Sequence, residues 1–454
     1  MQFLTFVVPY VGDGMTIAFN AIIHVLISHG VAIGVVSLIV VSEHLGLQQP
    51  AWEEFAKRLI KPAIIVVTGV GAVTGVGIWF LTSTLAPRAI ASMLRIFFWP
   101  WFVEWLVFAG EVIVILLYYF TWDAWKGEAK RRHLVVGYVY VALAMASAFL
   151  ITGILGFMLT SDGWPWDESF WSAFFNPSFL PQFVLRIGGG VFLGVIFITS
   201  FLLFSRQEPD FRRRALRLLG AVGLIALAVT GLSALWYFHV VPSVFKEFAV
   251  FSVLTQHLSQ HPELFWYGNA AAALLLALFA ILALSRTVGA TRFLVGCCLV
   301  LSIGFVSEFE RIREFIRGPY LLPGYMYVHQ MLLTEPAYYK HAGLLKNSYW
   351  YNTVAEDRAS AMSQGAYLFG RNCSVCHSIG GLNDIRDRLR GRTRNGVYAL
   401  IGNTHRMVPF MPPFAGTDRE VRIMGNFLYE ITHAHALSGS PSRFTVVRPE
   451  GRHE

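Results

Sequence analysis

Charge is scarce in this chain of 454 residues: Asp, Glu, Lys and Arg make up only 14% of it, well below the roughly 25% usual in water-soluble domains. With 55% hydrophobic residues and a mean hydropathy of +0.54, a single water-soluble globule is excluded. Cysteine is scarce too, with four in all. Cys297 and Cys298 sit inside an apolar run, where thiols act as small hydrophobes. Met1 to Gly14 lacks a basic stretch, and the first apolar run is longer than the core of a signal peptide, so no cleaved leader is expected. Basic residues outnumber acidic ones, giving a net charge of +8 and a pI near 9.3. These Lys and Arg residues fall in short stretches between apolar runs, where they report membrane topology, and nucleic acid is excluded as a partner.

What the chain has is a series of apolar runs of about 20 residues, each long enough to cross the roughly 30 Å hydrocarbon slab as a helix. Eight spans are expected, at 14–41, 62–85, 97–121, 134–160, 182–205, 215–241, 266–285 and 291–316. The connections after spans one, three, five and seven carry Lys57, Arg58 and Lys61; Lys126, Lys130, Arg131 and Arg132; Arg206 and Arg212 to Arg214; and Arg286. By the positive-inside rule these connections face the cytoplasm. The one after span four holds Asp162, Asp167 and Glu168 with no Lys or Arg. An even number of spans puts both termini on the outer side, here the periplasm of a bacterial cytoplasmic membrane.

After residue 316 the composition turns polar, with Gly318-Pro319 and Pro323-Gly324 marking turns. The expected organisation is a transmembrane domain at 1–316, a periplasmic connector at 317–360, a compact domain at 361–436 and a disordered tail at 437–454. Within the compact domain, Cys373-Ser374-Val375-Cys376-His377 has the C-x-x-C-H pattern of covalent c-type haem attachment. The two thiols would form the thioethers and His377 would be one axial ligand. A thioether as the second axial ligand raises the reduction potential and suits electron transfer. Met411 is the candidate, with Met407 and His405 as nearby competitors. Gly365 to Gly370 before the motif, Met411-Pro412-Pro413-Phe414 after it, and a closing helix at 420–431 with Phe427, Leu428 and Tyr429 make the segment look like a class I cytochrome c.

Ionisable residues inside spans are costly and are read first as functional. Entering from outside, His24 lies about 15 Å down span one and His29 near mid-membrane. Glu104 lies at a similar depth in span three and Glu111 is deeper. Glu308, Arg311 and Arg313 fall in the outer half of span eight. Imidazole or carboxylate can bind haem iron, and arginine can pair with propionates. The alternative is an ion-pair network between helices with no cofactor.

This arrangement resembles subunit I of the cytochrome bd oxidases. The matching stretches are Asn20 to His24, Val67 to Gly75, Glu104 to Glu111 with Trp122-Asp123, and Ser307 to Arg311. The resemblance implies an all-α bundle of about eight transmembrane helices in two four-helix bundles, followed by the small periplasmic cytochrome c domain. It also implies membrane haems of b or d type, His24 and Glu308 as axial ligands, and Glu104 and Glu111 as ligand-side or proton-pathway carboxylates. Arg311 would be a propionate partner, and the protein partner a second membrane subunit of the bd subunit II kind. The chain departs from the family at Phe183 to Arg186, where a low-spin haem histidine is usual, and at span seven, which lacks the partner methionine. The external quinol-binding loop shrinks to 242–265, and His239 just before it, with His257 and His261 within it, are alternative haem ligands.

The expected function is a respiratory membrane haem oxidoreductase with one covalent haem c. It would pass electrons between a periplasmic partner, such as another cytochrome c, and its membrane haems, towards oxygen. The alternatives are a non-catalytic relay to quinone or a larger redox complex, and a membrane anchor for the c domain.

Overall fold

The computed structural model describes residues 6–161, 163–164, 169–248, 261–354 and 360–438. Among them are eight helices long and apolar enough to cross a membrane: α1 (Asp13–Gly46), α2 (Pro50–Leu85), α3 (Phe98–Phe120), α4 (Gly127–Phe157), α5 (Phe179–Phe204), α6 (Pro209–Val240), α7 (Pro262–Leu284) and α8 (Val288–Phe315). Pro50, Pro209 and Pro262 each open a helix at a position where a missing N–H costs nothing. Several helices run beyond their apolar stretches. At 36 residues, α2 measures about 54 Å at 1.5 Å per residue, so Glu53 to Lys61 ride on its leading turns. The acidic stretch at 162–168, His257 and the tail beyond 438 lie largely or wholly outside the described residues.

The helices pack as two rings of four. In the first, α1 touches α2, α2 touches α3, α3 touches α4 and α4 returns to α1; α5 to α8 close a second ring in the same way. The rings join where α1 and α4 meet α5. The α1/α5 contact is made backbone to backbone. A Cβ on Gly34 would lie 2.1 Å from the Gly190 carbonyl oxygen, and one on Gly194 would lie 2.4 Å from the Gly34 carbonyl carbon. Small residues four apart on both helices permit this approach, which is how membrane helices gain van der Waals contact without a hydrophobic driving force. Large apolar side chains such as Val73, Phe80, Phe120, Leu232 and Phe293 stay exposed around the rim, as a bilayer-covered surface requires.

Both α1 and α2 carry π-helical stretches, Leu26–Val35 and Val66–Gly71, which contact each other. Such stretches widen the helix and often mark functional sites. Beyond α8 a two-stranded antiparallel hairpin, β1 (Tyr320–Leu322) and β2 (Met326–Tyr327), buries Leu321, Leu322 and Met326 with Phe97, Phe157 and Phe174. This compact unit therefore ends at Leu333, because the first part of the expected connector has apolar residues to bury.

The second unit combines the segment up to Asp13 with Thr334 onward. Its main helices are α9 (Ala361–Asn372), α10 (Arg394–Gly402) and α11 (Asp418–Ser438). Ser360 and Thr393 cap α9 and α10 by accepting from the N–H groups of Ser363 and Gly396. Where α9 crosses α11, a Cβ on Gly365 would lie 2.2 Å from the Phe427 Cβ, so only glycine fits. Glu420 near the start of α11 accepts from the backbone N–H groups of Leu344, Leu345 and Thr417 and ties the preceding chain to this helix pair.

Candidate functional site

His24 projects from α1 onto α2. Its Nδ1 lies 3.2 Å from the Thr74 hydroxyl, which donates its own proton to the carbonyls of Val70 (2.8 Å) or Gly71 (3.0 Å). A hydroxyl has one proton to give, so the Thr74 oxygen accepts from Nδ1–H. This fixes the tautomer and leaves the Nε2 lone pair open, the arrangement that a second-sphere acceptor creates for a metal-binding histidine. Glycines make the approach possible: a Cβ on Gly75 would meet the His24 ring at 3.2 Å. One turn back, Asn20 donates to the Thr74 carbonyl at 2.9 Å.

Glu104 and Glu111, seven residues apart on α3, are both half-buried against α4. Ser147 on α4 donates to Glu104 at 3.2 Å and lies within hydrogen-bonding reach of Glu111. On α8, Glu308 is half-buried and accepts from Asn269 of α7 at 2.8 Å. Arg311 extends over the Phe315 ring, 5.7 Å from its centroid, with its Nη1 3.6 Å from the Met15 sulfur.

Arg313 is part of a chain of buried ion pairs. Arg186 of α5 meets Glu310 at 2.9 Å, Arg313 meets Glu310 at 3.0 Å and Glu314 at 3.8 Å, and Arg317 meets Glu314 at 2.7 Å. Three guanidinium groups face two carboxylates, so the chain carries one excess positive charge. Arg186 Nε, Arg313 Nη1, Arg317 Nε and the neighbouring Arg311 Nε are buried without a hydrogen-bond partner among the described residues. Buried donors without acceptors are rare and point to a missing anionic group. The charged residues that the sequence places inside the spans are thus held by separate partners: His24 by Thr74, the two α3 carboxylates by Ser147, Glu308 by Asn269, and Arg313 by Glu310 and Glu314. Of the alternative histidines, His239 is exposed, and His261 is exposed and 3.2 Å from Glu263.

In the second unit, Cys373 follows the last residue of α9, and one tight turn brings Cys376 and His377 around, with the N–H of His377 donating to the Cys373 carbonyl at 2.9 Å. Burial pushes the Cys373 thiol up to about 12 and holds the His377 imidazole down to about 4. The ring is therefore neutral at physiological pH, the form that binds iron, and its Nδ1 is buried without a hydrogen-bond partner among the described residues. Asp13 braces the motif by accepting from the Ser374 hydroxyl at 2.9 Å. Met411 is half-buried, and its carbonyl lies 2.8 Å from His405 Nδ1, which occupies that histidine nitrogen. Met407 is 55% exposed and is a poor competitor for an axial position.

Sequence reasoning missed two groups. Arg186 with Glu310 is invisible until α5 and α8 are brought together. Glu43, Tyr118, Lys130 and His133 form a buried cluster on α1, α3 and α4. Glu43 and His133 fall just outside the expected spans 14–41 and 134–160, so the rule that flags charges inside spans passes over both.

A double four-helix membrane bundle with an anchored imidazole and inward carboxylates defines a polytopic membrane protein built to hold charge in its interior. Residues 14–243 match the family model described as cytochrome bd terminal oxidase subunit I, and the chain belongs to that family. Its fold is similar to that of the bd oxidase from Geobacillus thermodenitrificans, with a TM-score of 0.57 and 18% identity over 69% of this chain and 90% of that one. No curated protein matches the chain. It is a multi-pass membrane protein of respiratory electron transport, and membership of the family implies b- and d-type haems and a subunit II partner.

Proposed function

We propose that the chain is the core of a membrane oxidase that takes electrons on its outer face through a covalent haem and uses them to reduce oxygen. The observation that carries this reading is the His24 geometry: an imidazole inside a membrane bundle with Nδ1–H engaged by Thr74 and no hydrogen bond to Nε2 among the described residues. The bound haems would supply the redox centres and the iron at which oxygen reacts.

The residues present fit such groups. His24 and Glu308 are the axial ligands in this reading, and the unpartnered nitrogens of Arg311 and Arg313 supply donors for propionates. Glu104 and Glu111, linked by Ser147, bring protons towards the reacting site. Cys373 and Cys376 anchor the covalent haem, and His377 and Met411 hold its iron. The buried Arg186–Glu310 pair stands where a low-spin haem histidine is usual, which supports a changed electron entrance. Both termini are periplasmic in this reading, the donor is a periplasmic cytochrome, and a subunit II-like protein completes the complex.

The test is a haem count with pyridine haemochrome on the purified complex, alongside oxygen consumption and a haem-stained denaturing gel. One c haem with b or d haem and oxygen uptake is expected, and Cys373→Ala with Cys376→Ala should abolish the stained band alone. Staining that persists in the double variant would refute the covalent haem. A protein with c haem only would be an anchor.

A further inference from the structure

The second unit carries its charge unevenly. Among its described residues eleven Lys and Arg stand against seven Asp and Glu. Five of the arginines, Arg386, Arg388, Arg390, Arg392 and Arg394, alternate along a stretch that begins nine residues after His377.

The stretch is held by its own frame. Ile385 and Leu389, one turn apart on a five-residue helix (Ile385–Leu389), are buried, and Asp384 accepts from the backbone N–H of Arg386. Gly391 turns the chain with φ +77°, a conformation that suits glycine, and Thr393 then caps α10. On this frame Arg388, Arg390, Arg392 and Arg394 are all exposed.

Three of the five arginines already hold carboxylates of the same unit: Arg386 meets Asp384 at 2.6 Å, Arg390 meets Asp387 at 2.7 Å and Arg394 meets Glu430 at 2.6 Å. Arg388 and Arg392 have no carboxylate partner among the described residues. Arg388 donates to Asn383 Oδ1 at 3.3 Å, and Arg392 donates to the Arg388 carbonyl at 3.3 Å. Asn383 in turn donates to the Cys376 carbonyl at 2.6 Å. Arg388 is thus two hydrogen bonds from a residue of the attachment motif, and it lies within electrostatic range of His377.

We propose that this arginine stretch is the docking face for the electron donor, and that the donor is a soluble redox protein whose own face carries Asp and Glu around its metal centre. The proposal rests on the covalent-haem reading and deepens it by naming the surface and the charge of the partner.

Guanidinium forks match carboxylates two bonds at a time, which leaves Arg388 and Arg392 for those of a partner. Exposed ion pairs add little affinity. A patch of one sign instead speeds encounter with an oppositely charged partner by roughly 10- to 1,000-fold and orients it. That suits a carrier that must arrive, give up one electron and leave. The electron passes from the donor's metal, which is oxidised, to the haem iron, which is reduced, and no bond or proton is exchanged. Leu382, between the motif and the stretch in the chain, is 48% exposed and supplies an apolar contact of the kind found at the centre of such faces. An anionic lipid surface attracts the same charges, and the test separates the two.

The test uses the complex purified from membranes and held in nanodiscs of phosphatidylcholine, with the covalent haem followed by stopped-flow absorbance. Its reduced form is oxidised by hexacyanoferrate(III), an anion, or by tris(phenanthroline)cobalt(III), a cation; its oxidised form is reduced by a cytochrome c of net negative charge. In Arg388→Glu with Arg392→Glu, both anionic reagents should react about tenfold more slowly at low salt, with the difference closing as ionic strength rises. The cobalt complex should react faster. Arg388→Lys with Arg392→Lys keeps the charge and should stay near the wild-type rate with hexacyanoferrate(III). Equal rates for the anionic reagents in the Glu variant and the wild type, or a slowing shared by the cobalt complex, would overturn the proposal. A charge-reversal effect that vanishes in nanodiscs containing phosphatidylglycerol would assign the arginines to lipid headgroups and overturn it too. A wild-type protein without haem stain on a denaturing gel would instead refute the covalent-haem reading itself.

Discussion

The Thr74 hydroxyl gives the sharpest perturbation of the membrane site. Thr74→Val preserves shape and the backbone carbonyl that Asn20 uses, and deletes only the oxygen 3.2 Å from His24 Nδ1. In the free protein the imidazole can shift its proton to Nε2 and lose little. With iron on Nε2, the proton must sit on Nδ1 and face a methyl group. A buried N–H left unsatisfied costs about 1–3 kcal/mol. The Gly71 carbonyl is also within reach of His24, which places the expectation in the lower half, about 1–2 kcal/mol, or roughly 5- to 30-fold weaker retention. Because the cost exists only in the iron-bound tautomer, it appears in haem affinity and not in folding. The assay is the rate of haem transfer from purified protein to excess apomyoglobin, with thermal unfolding as a control. Faster release in Thr74→Val, with Thr74→Ser close to wild type, is expected. Equal release rates in both variants and the wild type would refute the anchored-imidazole argument.

Three further outcomes test the second unit. Met411→His should keep its haem six-coordinate and lower the midpoint potential by on the order of 0.1 V, within the ~0.8 V that axial ligands command; an unchanged potentiometric midpoint would move the ligand elsewhere. Gly365→Ala places a Cβ at 2.2 Å from that of Phe427 and should destabilise the α9/α11 pair by about 1–3 kcal/mol, seen as a lower Tm of the second unit. Burial alone would raise the Asp384 carboxyl, but hydrogen bonds from Arg386 outweigh it and hold the group below the ordinary carboxylate range. A depressed folded value means stability present above about pH 4 and lost as pH falls through that value. Acid unfolding curves should therefore be flatter for Asp384→Asn.

The corrections to the sequence reading have physical causes. Hydropathy falls before the helices end, and α1 and α4 continue through charged turns in which no proline interrupts them. Glu43 and His133 consequently looked like surface residues, although both are fully buried. Arg313 reads in the sequence as an unpaired cation, but Glu310 and Glu314 engage its Nε and Nη2 and leave Nη1 alone without a partner among the described residues. The approach of α1 to α5 was written in Gly30, Gly34, Gly190 and Gly194, but glycines in apolar helices name no partner until the helices are assembled.

By itself the sequence determined the membrane class, the number of spans and the presence of a C-x-x-C-H motif, because these depend on local quantities: run length against bilayer thickness, and the order of five residues in Cys373 to His377. It also pointed to His24, Glu104, Glu111 and Glu308, because charge inside an apolar run is conspicuous wherever it falls. Only the tertiary structure decided what each of them meets. The tautomer of His24 depends on a threonine 50 residues away, the buried guanidinium chain joins Arg186 to a carboxylate 124 residues away, and Glu43 meets His133 only because α1 packs on α4. Hydrogen bonds and ion pairs act over a few ångströms, and no linear pattern states which distant residues the packing of eight helices brings within that range.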